Sequence, residues 1–518
     1  MKQKAICGIV LSCILIVLFG WGEQLTNIIF SKTMGVSLKT EAELLPMLEN
    51  LTFYQGDSRN ILFNGEAVPY DEESNTIYIS QNSNTPKWEG SFSSLQGTLY
   101  FEDALTSENK STIIADNQSI DLYLIWEDGY TKFDVVFSGL PIMTLSTDYS
   151  SMLLMNPKDA SLPCQTAKCN VNVRGRTSSG YEKQGYSLQL TDGKQSLLGM
   201  RTDEDWILNA LYDDAGLVHN ALSYELWNQI AAANSIAHDN TTRQKYIELI
   251  YDNTYLGVYA LTERIDQKEL SLNNSHILYK VIAWPDESEN PYDAFALKWP
   301  KNASHRTEDV LITFAEELWL NDNRSFARQQ QLLFYENALD YNLFCLLTVG
   351  MDNTLKNSFL LAEEQTDGSY KILELPWDMN ASWGSEWSLS FHPEYITNTD
   401  CWSFVGRELF AQNPQQVAAD LKQRWSVLRQ DILTEENLHS ILDDNFALLY
   451  ESGAYERNYN KWPDYCLYWL EENNRFPVET VWRDEYIYDF VTGRITFLDQ
   501  FLTELSLQPD IFLGEATK

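Results

Sequence analysis

From about Thr40 to Gly139 apolar and polar residues alternate in short runs: ILFNG, VPYD, TIYISQN, WEGSF, TLYFED, SIDLYLI and KFDVVFSG. Alternation at period two sends successive side chains to opposite faces, and turn residues separate the runs, so a small antiparallel sheet or sandwich is predicted. Near Leu140 the pattern changes. LPIMTLST reads as a buried strand, and VNVRGRTSSGYEKQGYSLQL as two alternating runs around a loop of Gly, Ser and Thr. Asp214 to Ala232 carries Leu217, Ala221, Leu222, Leu226 and Ile230 close to a 3.6 period, which predicts an amphipathic helix. YIELIYDNTYLGVYALTERID predicts two strands around an Asx-rich turn at Asp252 to Thr254. Beyond Glu308 the composition turns helical, through FAEELWL and the run from Arg328 to Thr348. SFLLAEE and YKILELPW, separated by QTDGS, predict an antiparallel hairpin. Pro414 to Leu433 and Glu435 to Ser452 again show helical spacing.

The ends of that hairpin hold the candidate chemistry. Asp352 and Asn357 precede it and Asp378 and Asn380 follow it, so an antiparallel pairing brings two Asp and two Asn to one place. Clusters of oxygen donors hold hard cations such as Mg2+, and a carboxylate among them orients a hydroxyl. Asp, four residues, Asn, then Asp beyond a short hairpin is the kinase order of catalytic Asp, metal-binding Asn and metal-binding Asp. No His-Arg precedes Asp352 and no Phe-Gly follows Asp378, and Asp and Asn also cap ordinary turns. The loop from Arg174 to Gly180 has small residues whose N–H groups can approach a phosphate, with Lys183 expected on the strand beyond it. On these residues alone a plain hairpin with a solvated Lys is the favoured reading. Glu225, on the predicted helix, could pair with Lys183 or face solvent.

Composition narrows the partners. With 37 Lys and Arg against 74 Asp and Glu, the formal charge of −37 argues against nucleic acid and anionic lipid as partners. Lys2 and Lys4 precede an uncharged apolar run from Ala5 to Trp21, near the roughly 17 residues that span a bilayer. An uncleaved anchor over residues 1–24 is expected, with a cleaved signal peptide as the rival; either leaves the main chain outside the cytoplasm. Among seven cysteines, Cys164 and Cys169 could close a small disulfide loop, while Cys7 and Cys13 fall in the anchor and Cys345, Cys401 and Cys466 read as buried residues. Trp425, Trp462, Trp469 and Trp482 read as core, with a sugar platform as the alternative.

The segments RGRTSSGYEKQGY, WILNALYDD with HN a few residues on, YLGVYALTERID, DNTLKN and PWDMNASWG, together with QRWSVLR and RITFLD, resemble the bacterial spore-coat protein H family, the CotH kinases. That resemblance implies an atypical protein-kinase-like domain over residues 140–510; with the small β-rich, sandwich-like domain over 40–139 and the N-terminal anchor read from the strand pattern and the apolar run, the expected architecture is α+β. It implies ATP-dependent phosphoryl transfer to Ser or Thr of a protein, with ATP and Mg2+ or Mn2+ as cofactors. Asp352 matches the family's catalytic Asp, Asp378 its metal-binding Asp, Asn357 the asparagine of D-x4-N and Lys183 its nucleotide-binding Lys. The chain departs from the family at Gln184, His219 and Asn380, where a second Lys, an Arg and an Asp are usual. Expected partners are ATP and a protein substrate, a basic Ser-rich one included, and the membrane through the N-terminal segment. The rivals are an inactive surface or envelope structural protein with a kinase-like fold, and a glycosidase using Asp352 and Asp378.

Overall fold

Alternating runs become strands where their apolar face is covered. The computed structural model describes residue 30 and residues 32–509 apart from 57, 103–104, 107, 157, 160–162, 215, 237–241, 286–287, 386–394, 397–400 and 464–483. The expected anchor over 1–24 and Cys466, Trp469 and Trp482 lie outside the described residues. Among the described residues no helix is long and apolar enough to cross a membrane. The chain divides into two compact units: residues 1–210, 245–261 and 447–463, and residues 211–244, 262–446 and 464–518.

The first unit holds two β systems. β1 (Ser37–Lys39), β2 (Thr52–Phe53), β3 (Tyr70–Asp71), β4 (Thr76–Ser80), β5 (Thr98–Glu102), β6 (Ser119–Ile125) and β7 (Gly129–Ser138) form a seven-stranded sheet. Its order is β1-β5-β6-β7-β4-β3, with β2 also on β7. The β6–β7 pair is antiparallel, but β4 and β2 run parallel to β7, so the sheet is mixed rather than wholly antiparallel. Leu122, Leu124, Phe133, Val135 and Phe137 form its buried face with Phe101 and Trp88.

The second system is a closed barrel of β8 (Ile142–Ser146), β9 (Ser151–Met155), β10 (Cys164–Arg174), β11 (Gly185–Leu190), β12 (Asp205–Asn209), β13 (Gln244–Tyr251) and β14 (Thr254–Glu263). It closes by the parallel pairing of β8 with β13. Cys164 and Cys169 both lie on β10, so the disulfide that they could have closed does not form and both are free. Five steps along a strand separate Cα atoms by about 16 Å, beyond the roughly 7 Å that a disulfide bridges. Lys183 lies two residues before β11 rather than on the strand.

The second unit holds a four-stranded sheet and most helices. β15 (His276–Val281), β16 (Phe295–Trp299), β17 (Ser358–Glu364) and β18 (Tyr370–Pro376) pair in the order β16-β15-β17-β18. The hairpin β17–β18 has Ser358 opposite Pro376, which brings residues 352–357 and 377–380 to one end, as its sequence predicts. Helix α1 (His219–Ala232) starts five residues later than periodicity suggests. Asp214 holds the turn before it, accepting from the His219 N–H at 2.9 Å, while Leu217 is left-handed at φ 61°. Helix α2 (Tyr335–Thr348) is buried nearly all round, which an apolar stripe alone does not require. It ends at Val349, left-handed at φ 51°, and the chain passes straight into Met351–Asn353.

Candidate active site

Two short loops in the second unit carry the acidic residues. Met351–Asn353 is a single 3-10 turn after α2, and residues 377–380 follow β18. Asn357 and Asp378 adopt left-handed backbones, φ 56° and 63°, a conformation that Asn and Asp accept more readily than other side chains. Fully buried Asn353 ties the loops together. Its Nδ2 donates to the carbonyl of Trp377 at 2.7 Å, with longer contacts to Asp378 O at 3.3 Å and Asn357 O at 3.4 Å. The Tyr341 hydroxyl on α2 donates to the Asn353 carbonyl at 2.7 Å, and the Trp377 N–H donates to Asn357 O at 3.0 Å.

Helix α1 braces the second loop from residues three and four apart on one face. The Met379 N–H donates to Asn220 Oδ1 at 2.9 Å, Trp383 Nε1 donates to Ser223 Oγ at 2.9 Å, and the Asp378 N–H donates to the Tyr224 hydroxyl at 3.2 Å. Backbone groups thus fix Asp378 while its carboxylate stays free of those bonds.

Asp352 is held by both oxygens. Lys356 Nζ donates to Oδ1 at 2.7 Å and Asn357 Nδ2 to Oδ2 at 2.6 Å. Burial pushes the Asp352 carboxyl above its ordinary value; Lys356 opposes the shift and the Asp378 charge adds to it. Asp213 is pushed up to about 7, first by burial and then by the charge of Asp378. Its neighbour Asp214 serves the fold instead, with Oδ1 2.6 Å from His219 Nδ1 and both side chains buried. Sequence reasoning missed Asp213, Asn353, Lys356 and the α1 braces. The signal for Asp213 was present in the YDD of WILNALYDD, and that for Lys356 in DNTLKN.

These donors fit a hard divalent cation. Asn357 spends its amide N–H on Asp352 and keeps Oδ1, Asp378 offers a free carboxylate, and Asp213 and Asp378 repel each other in a way a cation would relieve. Asn380, two residues after Asp378, is half-buried. Asp203, Glu204 and Asp205 in the first unit also gather carboxylates within 4.8 Å. There Arg201 pairs with Asp203 at 2.8 Å and Asp203 Oδ1 caps the Glu204 N–H at 2.7 Å, the arrangement of a turn.

Lys183, in the first unit, is 2 % exposed. Its ammonium donates to the Val258 carbonyl at 2.6 Å and to Asn458 Oδ1 at 2.8 Å, and lies 4.8 Å from the Tyr259 ring centroid. Burial without a carboxylate partner holds it well below the usual lysine range. Glu225 on α1 is exposed. A solvated carboxylate keeps its hydration, whereas Lys183 is satisfied by neutral acceptors within its own unit.

An Asp on a helix-terminal turn, an Asn five residues on and an Asp beyond a hairpin stand in the order in which kinases place their catalytic and metal-binding groups. Residues 171–498, more than half of the chain, match the family described as CotH kinase protein, and the chain belongs to that family. No curated protein matches it.

Proposed function

We propose that this protein is an ATP-dependent kinase that phosphorylates Ser or Thr of a protein outside the cytoplasm. The observation that carries the reading is Asp352, half-buried, with both oxygens held by Lys356 and Asn357 and with the Asp378 charge beside it. Phosphoryl transfer asks a protein chiefly to position groups and neutralise charge. Asp352 accepts a hydrogen bond from the substrate hydroxyl and aims its oxygen at the γ-phosphorus. Asp378 and Asn357 hold Mg2+ or Mn2+, which supplies charge neutralisation at the phosphates. Lys183 pairs with phosphate oxygens, which requires its ammonium to leave Val258 and Asn458. The apolar run from Ala5 to Trp21 supports a single-pass membrane protein, or a secreted one if that segment is removed.

A second reading, an inactive surface or envelope protein that keeps the fold, is favoured by one observation: the Lys183 ammonium is already held by two acceptors of its own unit. The experiment is a thermal melt of the full chain with ATP and Mn2+, beside incubation with radiolabelled ATP and a basic Ser-rich protein. A rise that needs both nucleotide and metal, with label transferred, supports the kinase. Asp352→Ala and Asp378→Ala should each abolish transfer while shifting the melting temperature little. A rise without transfer in the wild type supports the second reading, and no rise removes the nucleotide site.

A further inference from the structure

The last turn of α2 decides where Asp352 sits. The final carbonyls of a helix have no partner within it and must find one elsewhere. Cys345 O accepts from the Gly350 N–H at 3.2 Å, and Thr348 O accepts from the Trp383 N–H, beyond Asp378. Leu346 O is taken by a side chain from far along the chain. Arg494, on the helix Asp484–Leu507, donates to it through Nε at 2.8 Å and again through Nη2, while Nη1 donates to the Ile396 carbonyl at 2.6 Å. Arg494 is fully buried. Burying a guanidinium is costly, and an apolar side chain of similar volume would fill the place without that cost. What the arginine adds is a positive charge at the negative end of the α2 dipole and a planar fork that joins two carbonyls.

Its effect on the site is uneven. The loop of Asp378 is braced by Asn220, Ser223 and Tyr224 of α1. Asp352 instead follows α2 directly, through left-handed Val349 and the turn Met351–Asn353, so its place depends on where α2 stops. The same guanidinium fastens that helix end to Ile396, in the stretch that follows the Asp378 loop. We propose that Arg494 is a positioning residue for phosphoryl transfer, fixing the Asp352 turn through the C-terminal end of α2; this rests on the kinase reading. Arg494 acts through α2 alone. Its loss therefore slows the step that needs Asp352 aimed, while nucleotide and metal binding, whose groups have other supports, change little.

The test compares the full wild-type chain with Arg494→Met and Arg494→Lys, and with Leu502→Ala as a control, since Leu502 is buried about two turns further along the same helix. Amide hydrogen exchange reads the anchor without any activity. In Arg494→Met the Gly350 and Asn353 amides, which close the turn, should exchange about tenfold faster or more, while the β17–β18 hairpin keeps its wild-type protection. With radiolabelled ATP, kcat should fall about a hundredfold, the cost of a shift near 1 Å in a positioned reaction, and the Kd for ATP with Mn2+ should change less than about threefold. Arg494→Lys keeps a cation at the helix end without the fork and should recover part of both losses; it also carries the test if the Met variant does not fold. Wild-type exchange at Gly350 and Asn353 in the Arg494 variants overturns the proposal. So does an equal fall in kcat in Leu502→Ala at a matched loss of melting temperature, because the effect would then be general loosening. A wild type that transfers no label overturns the kinase reading, and faster exchange confined to the Arg494 variants would then leave Arg494 as an anchor with no reaction to serve.

Discussion

Asp213 and Asp214 are adjacent and identical in type, yet their surroundings give them different roles. Asp214 is spent on the His219 ring and N–H. Asp213 meets Asp378 and burial, which together push its carboxyl up to about 7, whereas an unfolded Asp titrates near 4. The protonated form is therefore favoured by folding. The associated stability is complete below about pH 4 and is lost as pH rises towards 7. A divalent cation competes with that proton. The melting rise produced by Mn2+ should accordingly grow between about pH 6 and pH 8, and Asp213→Asn should flatten the dependence. An equal rise at both pH values in the wild type would show that Asp213 is outside the cation's reach. The doublet was visible as sequence, but its division was not, because only the turn before α1 decides which carboxylate faces which way.

At the scale of elements, the hairpin β17–β18 was legible in full. Apolar runs of suitable length flank QTDGS, and strand pairing with Ser358 opposite Pro376 follows from local turn chemistry. What holds its open end in shape was not legible. Asn353 reads as an ordinary turn residue within DNTLKN, yet its buried amide spans both loops. Asn353→Ala should cost about 2–3 kcal/mol in a denaturant melt, through one short hydrogen bond and a buried Trp377 carbonyl left unpaired. Transfer should fall more than that loss of stability explains, since Asp352 and Asp378 lose their common brace. Helix α1 shows the same limit: its apolar period was plain, but Asn220, Ser223 and Tyr224 found partners more than 150 residues away.

At the scale of the molecule, the chain returns residues 447–463 to the first unit after building most of the second. Helix α3 (Ala454–Lys461) carries Arg457, which pairs with Glu248 of β13 through two contacts of 2.8 Å, both side chains buried. The Tyr255 hydroxyl adds a third bond to Glu248 at 2.5 Å. Charge and bonding from Arg457 keep the Glu248 carboxyl below its ordinary value despite burial. Removing one partner leaves a buried charge uncompensated. Arg457→Met should cost the barrel about 3–5 kcal/mol, and Arg457→Met with Glu248→Gln should recover most of it, read from urea melts. A double variant as unstable as the single one would show that the helix, not the charge pair, carries the loss.

The sequence by itself determined the alternating strands, the hairpin, the helical periods and the ordered motifs that mark a CotH family member over residues 171–498. Those features are encoded within about ten residues, in side-chain period and turn chemistry. Tertiary structure decided which groups are buried and with whom. Lys183 was expected on a strand, and it instead precedes one and donates to Asn458, 275 residues further along. Glu225, read as either a partner of Lys183 or a solvated side chain, is exposed. Cys164 and Cys169 were close in sequence, and an extended backbone kept them apart. Local patterns fix the conformation of a segment, whereas the partner of a polar side chain depends on contacts across the whole chain.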